Sequence, residues 1–125
     1  MHKLFLFFTL IVSTQVFSQT AAVWVEKDNF HTVMAETFHP MEEGNYKPIR
    51  ERSTELYEKA VIWQKSTVPA GFSQKKLAKK LKKLVEESKK LDDKIKASCT
   101  DAVIKEDLTK LHDIFHTIVG LCHSE

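Results

Sequence analysis

The stretch DAVIKEDLTKLHDIFHTIVGLC, residues 101–122, decides the fold. Its apolar side chains recur every three or four residues, which is the spacing of one face of an α-helix. These residues are Ile104, Leu108, Leu111, Phe115, Ile118 and Cys122. Asp101, or Thr100 before it, is a suitable N-cap, so the pattern predicts a helix that ends at about Cys122. Such a face must be covered by other helices.

Three upstream segments have the same spacing and can supply that cover. They are expected from Asp28 to about Phe38, from about 48 to 66, and from about 74 to 97 with Ser73 as cap. Their apolar faces comprise Phe30, Val33, Met34, Thr37 and Phe38; Ile49, Leu56, Ala60 and Trp63, widened by Tyr57, Val61 and Ile62; and Leu77, Leu81, Leu84, Leu91 and Ile95. No period-two strand pattern persists. The sequence therefore predicts an all-α, antiparallel up-down-up-down four-helix bundle over residues 28–123, preceded by an N-terminal extension at 19–27.

The first 18 residues are typical of a secretory signal peptide. A basic start at His2 and Lys3 precedes an apolar run from Leu4 to Val12, and Ser18 is a suitable cleavage position. An uncleaved N-terminal anchor is the alternative. No second long apolar stretch follows, so no stable membrane insertion is expected after cleavage. The predicted destination is periplasmic or secreted.

The charge pattern excludes a nucleic-acid protein and contains one local anomaly. Net charge is +2 and both signs are mixed along most of the chain. The segment KKLAKKLKKL, residues 75–84, carries six lysines. It is either a surface for acidic lipid or an acidic partner, or a solvated helix face. The segment EESKKLDDK that follows favours the solvated face, because its acids neutralise the stripe.

The histidines form a pattern of their own. His112 and His116 are about 40° and roughly 6 Å apart on a helix, and His123 is only about 20° out of line with His112. His31 and His39 occupy the first helix. In an up-down-up-down bundle the first and last helices are neighbours, so His31 is expected near His116 or His123 and His39 near His112.

This convergence predicts a metal site. Two histidines at positions i and i+4 can hold one ion, and a facing helix completes the shell. The expected ligands are His31, His39, His112 and His116, and the further candidates are Met34, Glu36, Glu42, Glu43, Cys122 and His123. The metal is copper, zinc or iron: Met and Cys favour copper, and Glu favours zinc or iron. The alternative is that the histidines are ordinary boundary residues, with His123 a favourable cation at a helix C-terminus.

The two cysteines are not expected to pair with each other. Cys99 and Cys122 lie near opposite ends of the last predicted helix, about 34 Å apart, which is far beyond disulfide reach. Cys122 is expected to be a buried thiol, a ligand or an attachment point. Cys99 lies in the predicted turn before the last helix, so an intermolecular disulfide, and hence a homodimer, stays possible on the sequence.

The histidine pattern resembles that of the four-helix cytochromes, cytochrome c-prime and its b-type relatives. Phe115-His116 resembles the aromatic–histidine pair of their last helix, and Met34 resembles the first-helix methionine ligand of the b-type members. VGLCH, residues 119–123, resembles the C-x-x-C-H haem attachment motif, but Val119 stands in place of the first Cys. The resemblance implies haem held by Met34 and His116, with Cys122 and His123 as attachment candidates. FHTVMAETFHP and LHDIFH also resemble small secreted, histidine-containing helical proteins.

Three functions remain open on the sequence. The first is an exported metal-binding bundle for metal buffering, delivery or sensing. The second is a haem-binding electron carrier or gas-binding bundle that uses Met34 or His31 with His116. The third is a helical interaction module with incidental histidines and an envelope protein as partner. An enzyme is not expected, and no catalytic residue is predicted, because the chain has no phosphate-binding loop, catalytic triad or zinc-protease motif.

Overall fold

The computed structural model describes residues 23–123, which form four α-helices. These are α1 (Val25–Glu42), α2 (Lys47–Lys65), α3 (Gln74–Lys96) and α4 (Asp101–His123). The predicted all-α four-helix bundle is confirmed at this level. The predicted signal peptide and its cleavage site lie outside the described residues. Within residues 23–123, no helix has the length and apolar character that crossing a membrane requires.

The ends of α1 differ from the prediction. The helix begins at Val25 rather than Asp28, and it continues past Phe38 to Glu42 with Pro40 inside its last turn. Proline lacks an N–H, but this close to the C-terminus of the helix it removes only one intrahelical hydrogen bond and does not end the helix. Gly44, at φ +83°, then ends the helix, and its N–H donates to the carbonyl of Met41 at 2.9 Å.

The other three helices begin and end within about one residue of their predicted limits. The Ser73 hydroxyl accepts a hydrogen bond from the backbone N–H of Lys76, which confirms the predicted cap of α3. The Thr100 hydroxyl accepts one from Val103 at the start of α4. These caps satisfy N–H groups that the first helical turn leaves without intrahelical partners.

The helices surround one apolar core, to which each contributes most of its predicted face; Ile95 is only partly buried, and Ile62, predicted to widen the face of α2, is exposed. Buried side chains from all four helices form a single cluster. Each helix packs against the next along the chain, and α4 also packs against α1. Of the four helix pairs that pack together, α1 and α4 have the fewest close backbone neighbours. Aromatic rings fill the space between these two helices: the ring centroids of Phe30 and Phe115 lie 5.8 Å apart. Side chains at this seam therefore have room to meet near the surface.

The seam between α2 and α3 contains a buried polar network. The carboxylate of Asp92, 4% exposed, accepts hydrogen bonds from the hydroxyls of Ser53 and Thr54 at 2.8 Å and pairs with Lys96 at 2.8 Å. Burial alone would raise the pKa of Asp92, but the hydrogen bonds from Lys96, Ser53 and Thr54 outweigh it and hold that pKa below its usual value. The charge is thus stabilised inside the bundle, where it fixes how α2 and α3 align.

Candidate metal centre

The centre of the site is His112, which is half-buried on the rim of the α1–α4 seam. Its imidazole stacks on the ring of Phe38 with 3.8 Å between centroids and 7° between planes. Phe38 belongs to the buried face of α1, so its ring is held by the core. The stack therefore restricts the rotation of the His112 side chain.

His116 lies one helical turn further along α4 and faces His112. The two Nε2 atoms are 3.1 Å apart and share one hydrogen bond in which either ring can be the donor. The ring planes are 79° apart. Two nitrogens that each lie 2.0–2.1 Å from one metal ion are about 2.9–3.4 Å apart for right-angle to tetrahedral geometry. The observed spacing falls within that range; to bind one ion, the shared proton would have to leave and both rings would have to turn so that their Nε2 lone pairs meet at it.

The surroundings of His112 favour its neutral form by lowering its pKa. Its pKa is lowered first by burial and second by the neighbouring charge of His116; His39 also lowers it, while Asp113 and Glu42 act in the opposite direction. A metal ion binds the neutral imidazole. The site is thus prepared electrostatically for a ligand role.

The last turn of α1 brings two further ligand-type side chains to the same rim. His39 Nδ1 lies 3.2 Å from the Glu42 carboxylate, and both side chains are exposed. They follow Phe38 directly along the helix, and their charges reach His112. The predicted approach of His39 to His112 stays a prediction: the charge of His39 acts on His112, and the ring neighbour of His39 is Phe38.

His31 occupies a different place. Its ring stacks on Phe115 with 4.9 Å between centroids and 16° between planes. It lies on α1 just under two turns before Phe38, and its ring partner Phe115 directly precedes His116, near which the sequence placed it as a ligand. Its observed ring partner is an aromatic side chain. The side chain of His123 lies outside the described part of the chain.

The four predicted ligands do not form one cluster in this structure. Across residues 23–122, no three His, Cys, Asp or Glu side chains lie together in a group that could hold a metal ion. His112 and His116 are brought together, His39 lies on the same rim beside Glu42, and His31 lies against Phe115. A complete site therefore needs a side-chain rotation on α1.

The soft candidate ligands lie elsewhere. Met34 is fully buried in the core, and Cys122 is buried near Lys27, about 15 Å along α4 from His112. Burial raises the pKa of the Cys122 thiol, as expected for a packing residue. Cys99 and Cys122 are both free thiols and lie at opposite ends of α4, as predicted.

The haem that the cytochrome resemblance implies does not fit the residues as they are packed. Met34 lies wholly inside the core, while His116 is exposed and directs Nε2 at His112. Ligation by this pair would require Met34 to leave the core. The four-helix outline is compatible with the resemblance, and the proposed ligand pair is not assembled.

The sequence did not reveal that phenylalanines support the histidines. Phe38 and Phe115 were predicted as packing residues, and both are buried in the core. In addition, each ring stacks against a histidine imidazole from the other helix of the α1–α4 pair. A Phe beside a His, as in residues 38–39 and 115–116, is the available sequence signal. It indicates a boundary position but not which histidine stacks on which ring.

Comparisons with known proteins give no further assignment. No protein-family model matches the chain, and neither curated proteins nor solved structures gave a match. The functional argument therefore rests on the geometry of His112 and His116.

Proposed function

We propose that this chain is an exported helical bundle that binds a divalent transition metal ion through Nε2 of His112 and His116. The 3.1 Å separation of these two atoms is the observation that carries the proposal. A pair on one rigid helix loses little freedom on binding, and Phe38 further restrains one of its members. The export step follows from the leader-like pattern of residues 1–18.

The proposal includes the up-down-up-down course of the helices. Three cross-helix pairs support it, because in each pair one residue lies in the earlier part of its helix and the other in the later part of the neighbouring helix: Glu36 with Arg52, Ser53 with Asp92 and Lys94 with Asp107. Trp24, just before α1, also contacts Trp63 near the end of α2. This course places the last turn of α1 beside the middle of α4.

His39 and Glu42 are the proposed additional ligands. Both side chains are exposed and pair with each other at 3.2 Å, and both act on the pKa of His112 through their charges. A set of imidazoles and a carboxylate suits zinc or copper(II). Met34 and Cys122, which would favour cuprous copper, are buried elsewhere.

The exposure of the site favours reversible binding. Structural zinc sites are closed by four protein ligands, whereas His116, His39 and Glu42 are all exposed here. An ion held at such a rim remains open to water and to incoming ligands. Buffering or delivery of metal in the cell envelope is therefore the proposed role.

The direct test is calorimetric titration of the purified mature chain with zinc and with copper(II). We expect one ion per chain, and His112→Ala combined with His116→Ala should abolish binding. The matched control is Lys105→Ala combined with Thr109→Ala, which changes an exposed i,i+4 pair on α4 that does not act on the pKa of His112 and should leave binding intact. At a metal concentration 100 times the Kd, binding should stabilise the native chain by about 2.7 kcal/mol.

Two results would contradict the proposal. One is unchanged metal affinity in the double histidine variant while the fold, monitored by circular dichroism, is intact. The other is the absence of any binding by the wild-type chain at millimolar metal. His39→Ala and Glu42→Ala then measure the additional ligands: each should weaken binding about tenfold or more without abolishing it.

A further inference from the structure

The first three turns of α3 present a basic face to solvent. Six exposed lysines cover about 160° of the helix circumference, opposite the buried leucines. They are Lys75, Lys76, Lys79, Lys80, Lys82 and Lys83. We call this set the α3 lysine face. A shallow open groove of about 390 Å³ runs along it between Lys79 and Glu86.

The acids that follow in the sequence do not neutralise most of this face. Glu86 and Glu87 pair with Lys82 and Lys83, at 3.9 and 2.8 Å. The other acids of α3 serve lysines in its second half: Asp93 pairs with Lys89 and Asp92 with Lys96. Four exposed lysines, residues 75, 76, 79 and 80, make no ion pair with any described residue. These four lysines are solvated, as the interpretation of a solvated face expects, but ion pairs with the following acids do not neutralise them.

The arrangement is unfavourable for the isolated helix. The first turn of α3 has no acidic residue, so lysines lie at the positive end of the helix dipole. Lys75 and Lys79, and likewise Lys76 and Lys80, are like-charge neighbours one turn apart. An anionic surface that approaches this face would relieve both effects, and no part of the described chain does so.

We propose that the α3 lysine face docks the protein on the surface of an anionic phospholipid bilayer. Lysine is a flexible point charge that suits a plane of mobile phosphates, whereas defined bidentate recognition favours arginine. Both arginines of the chain, Arg50 and Arg52, are in ion pairs on α2. Residues 74–86 contain no aromatic side chain, which disfavours single-stranded nucleic acid.

The docking is peripheral. The leucines of this segment, Leu77, Leu81 and Leu84, are at most 2% exposed, so the helix has no apolar side chain to insert into lipid. Binding then depends on charge alone and decreases steeply with salt. This inference is independent of the metal site, because it uses different residues on a different helix.

The test is sedimentation of the mature chain with vesicles of phosphatidylglycerol and phosphatidylcholine. The test variant replaces Lys75, Lys76, Lys79 and Lys80 with Gln, and the matched control replaces Lys89, Lys90, Lys94 and Lys105 with Gln. Both variants lose four positive charges. Each lysine near an anionic bilayer contributes about a fivefold factor, so the test variant should lose on the order of 100-fold or more in partitioning. The control should lose less than about tenfold.

The wild-type chain should bind the anionic vesicles at low salt and dissociate from them at 0.5 M salt. It should not bind vesicles of pure phosphatidylcholine. Equal losses in the two variants would overturn the proposal, because they would show an effect of net charge alone. Binding to neutral vesicles, or no binding to anionic ones at low salt, would overturn it as well. Tighter binding to duplex DNA than to anionic vesicles in the same buffer would assign the face to another partner.

Discussion

The imidazole of His112 lies flat on the ring of Phe38, with 3.8 Å between centroids, although the two residues belong to the last and first helices of the chain. This stack joins a core side chain to the rim of the proposed metal site. We therefore expect the proposed metal affinity to depend on core packing at Phe38, and this dependence can be measured.

Replacing Phe38 with Leu should weaken metal binding about tenfold, because His112 loses the surface that orients it. The same change should reduce the free energy of unfolding by about 1–2 kcal/mol. Calorimetric titration measures the metal affinity, and urea unfolding measures the free energy of unfolding. Phe30→Leu is the control, since Phe30 is equally buried but contacts Trp63 and Phe115 instead. Similar losses of affinity in both variants would mean that stability alone governs binding.

The metal-free protein should lose stability as the pH falls below about 6.5 because of His112. Its folded-state pKa is lower than the ordinary value of 6.5, so the unfolded chain takes up a proton first. The stability that the neutral ring contributes is present above that pH and is lost as the pH falls through the folded pKa. Urea unfolding between pH 5 and 8 measures this. His112→Gln should flatten the profile, whereas His31→Gln should leave it close to wild type; a profile unchanged by His112→Gln would refute the assignment.

Asp92→Ala should destabilise the bundle by about 2–3 kcal/mol. The substitution leaves the buried hydroxyl of Ser53 without its acceptor and removes the partner of Lys96. Asp93→Ala is the control, because that exposed carboxylate pairs only with Lys89 in the described chain, and its loss should cost under about 0.5 kcal/mol. Thermal unfolding of both variants measures the difference. Equal decreases in Tm would show that the buried network does not contribute to the stability of the bundle.

Lys75→Glu should stabilise the protein by about 0.5–1 kcal/mol. The new carboxylate would lie in the first turn of α3, where it complements the helix dipole, and one turn before Lys79. Lys94→Glu should have the opposite sign, because it places a negative charge in the last turn and removes the ion pair with Asp107. Tm is the readout. A decrease in Tm for Lys75→Glu would show that Lys75 has a stabilising partner in solution.

Sequence periodicity was sufficient to predict the four helices and their buried faces. The spacing of apolar residues is a local property, and residues such as Leu108 and Leu84 are inside because their own helix turns them there. The same local geometry placed His112 beside His116, since residues four apart on a helix are neighbours. The local end of α1 was predicted less well, because Pro40 reads as a stop although it is tolerated in a final turn.

Tertiary structure alone decided which side chains meet across helices. Periodicity states which side of a helix is buried, but the rotation and axial shift of two packed helices depend on how all their side chains interlock. That packing put His112 on Phe38 and His31 on Phe115, and it left His39 beside Glu42 instead of among the other histidines. The sequence by itself thus determined the helices and the two-histidine pair, while only the folded chain decided what surrounds that pair.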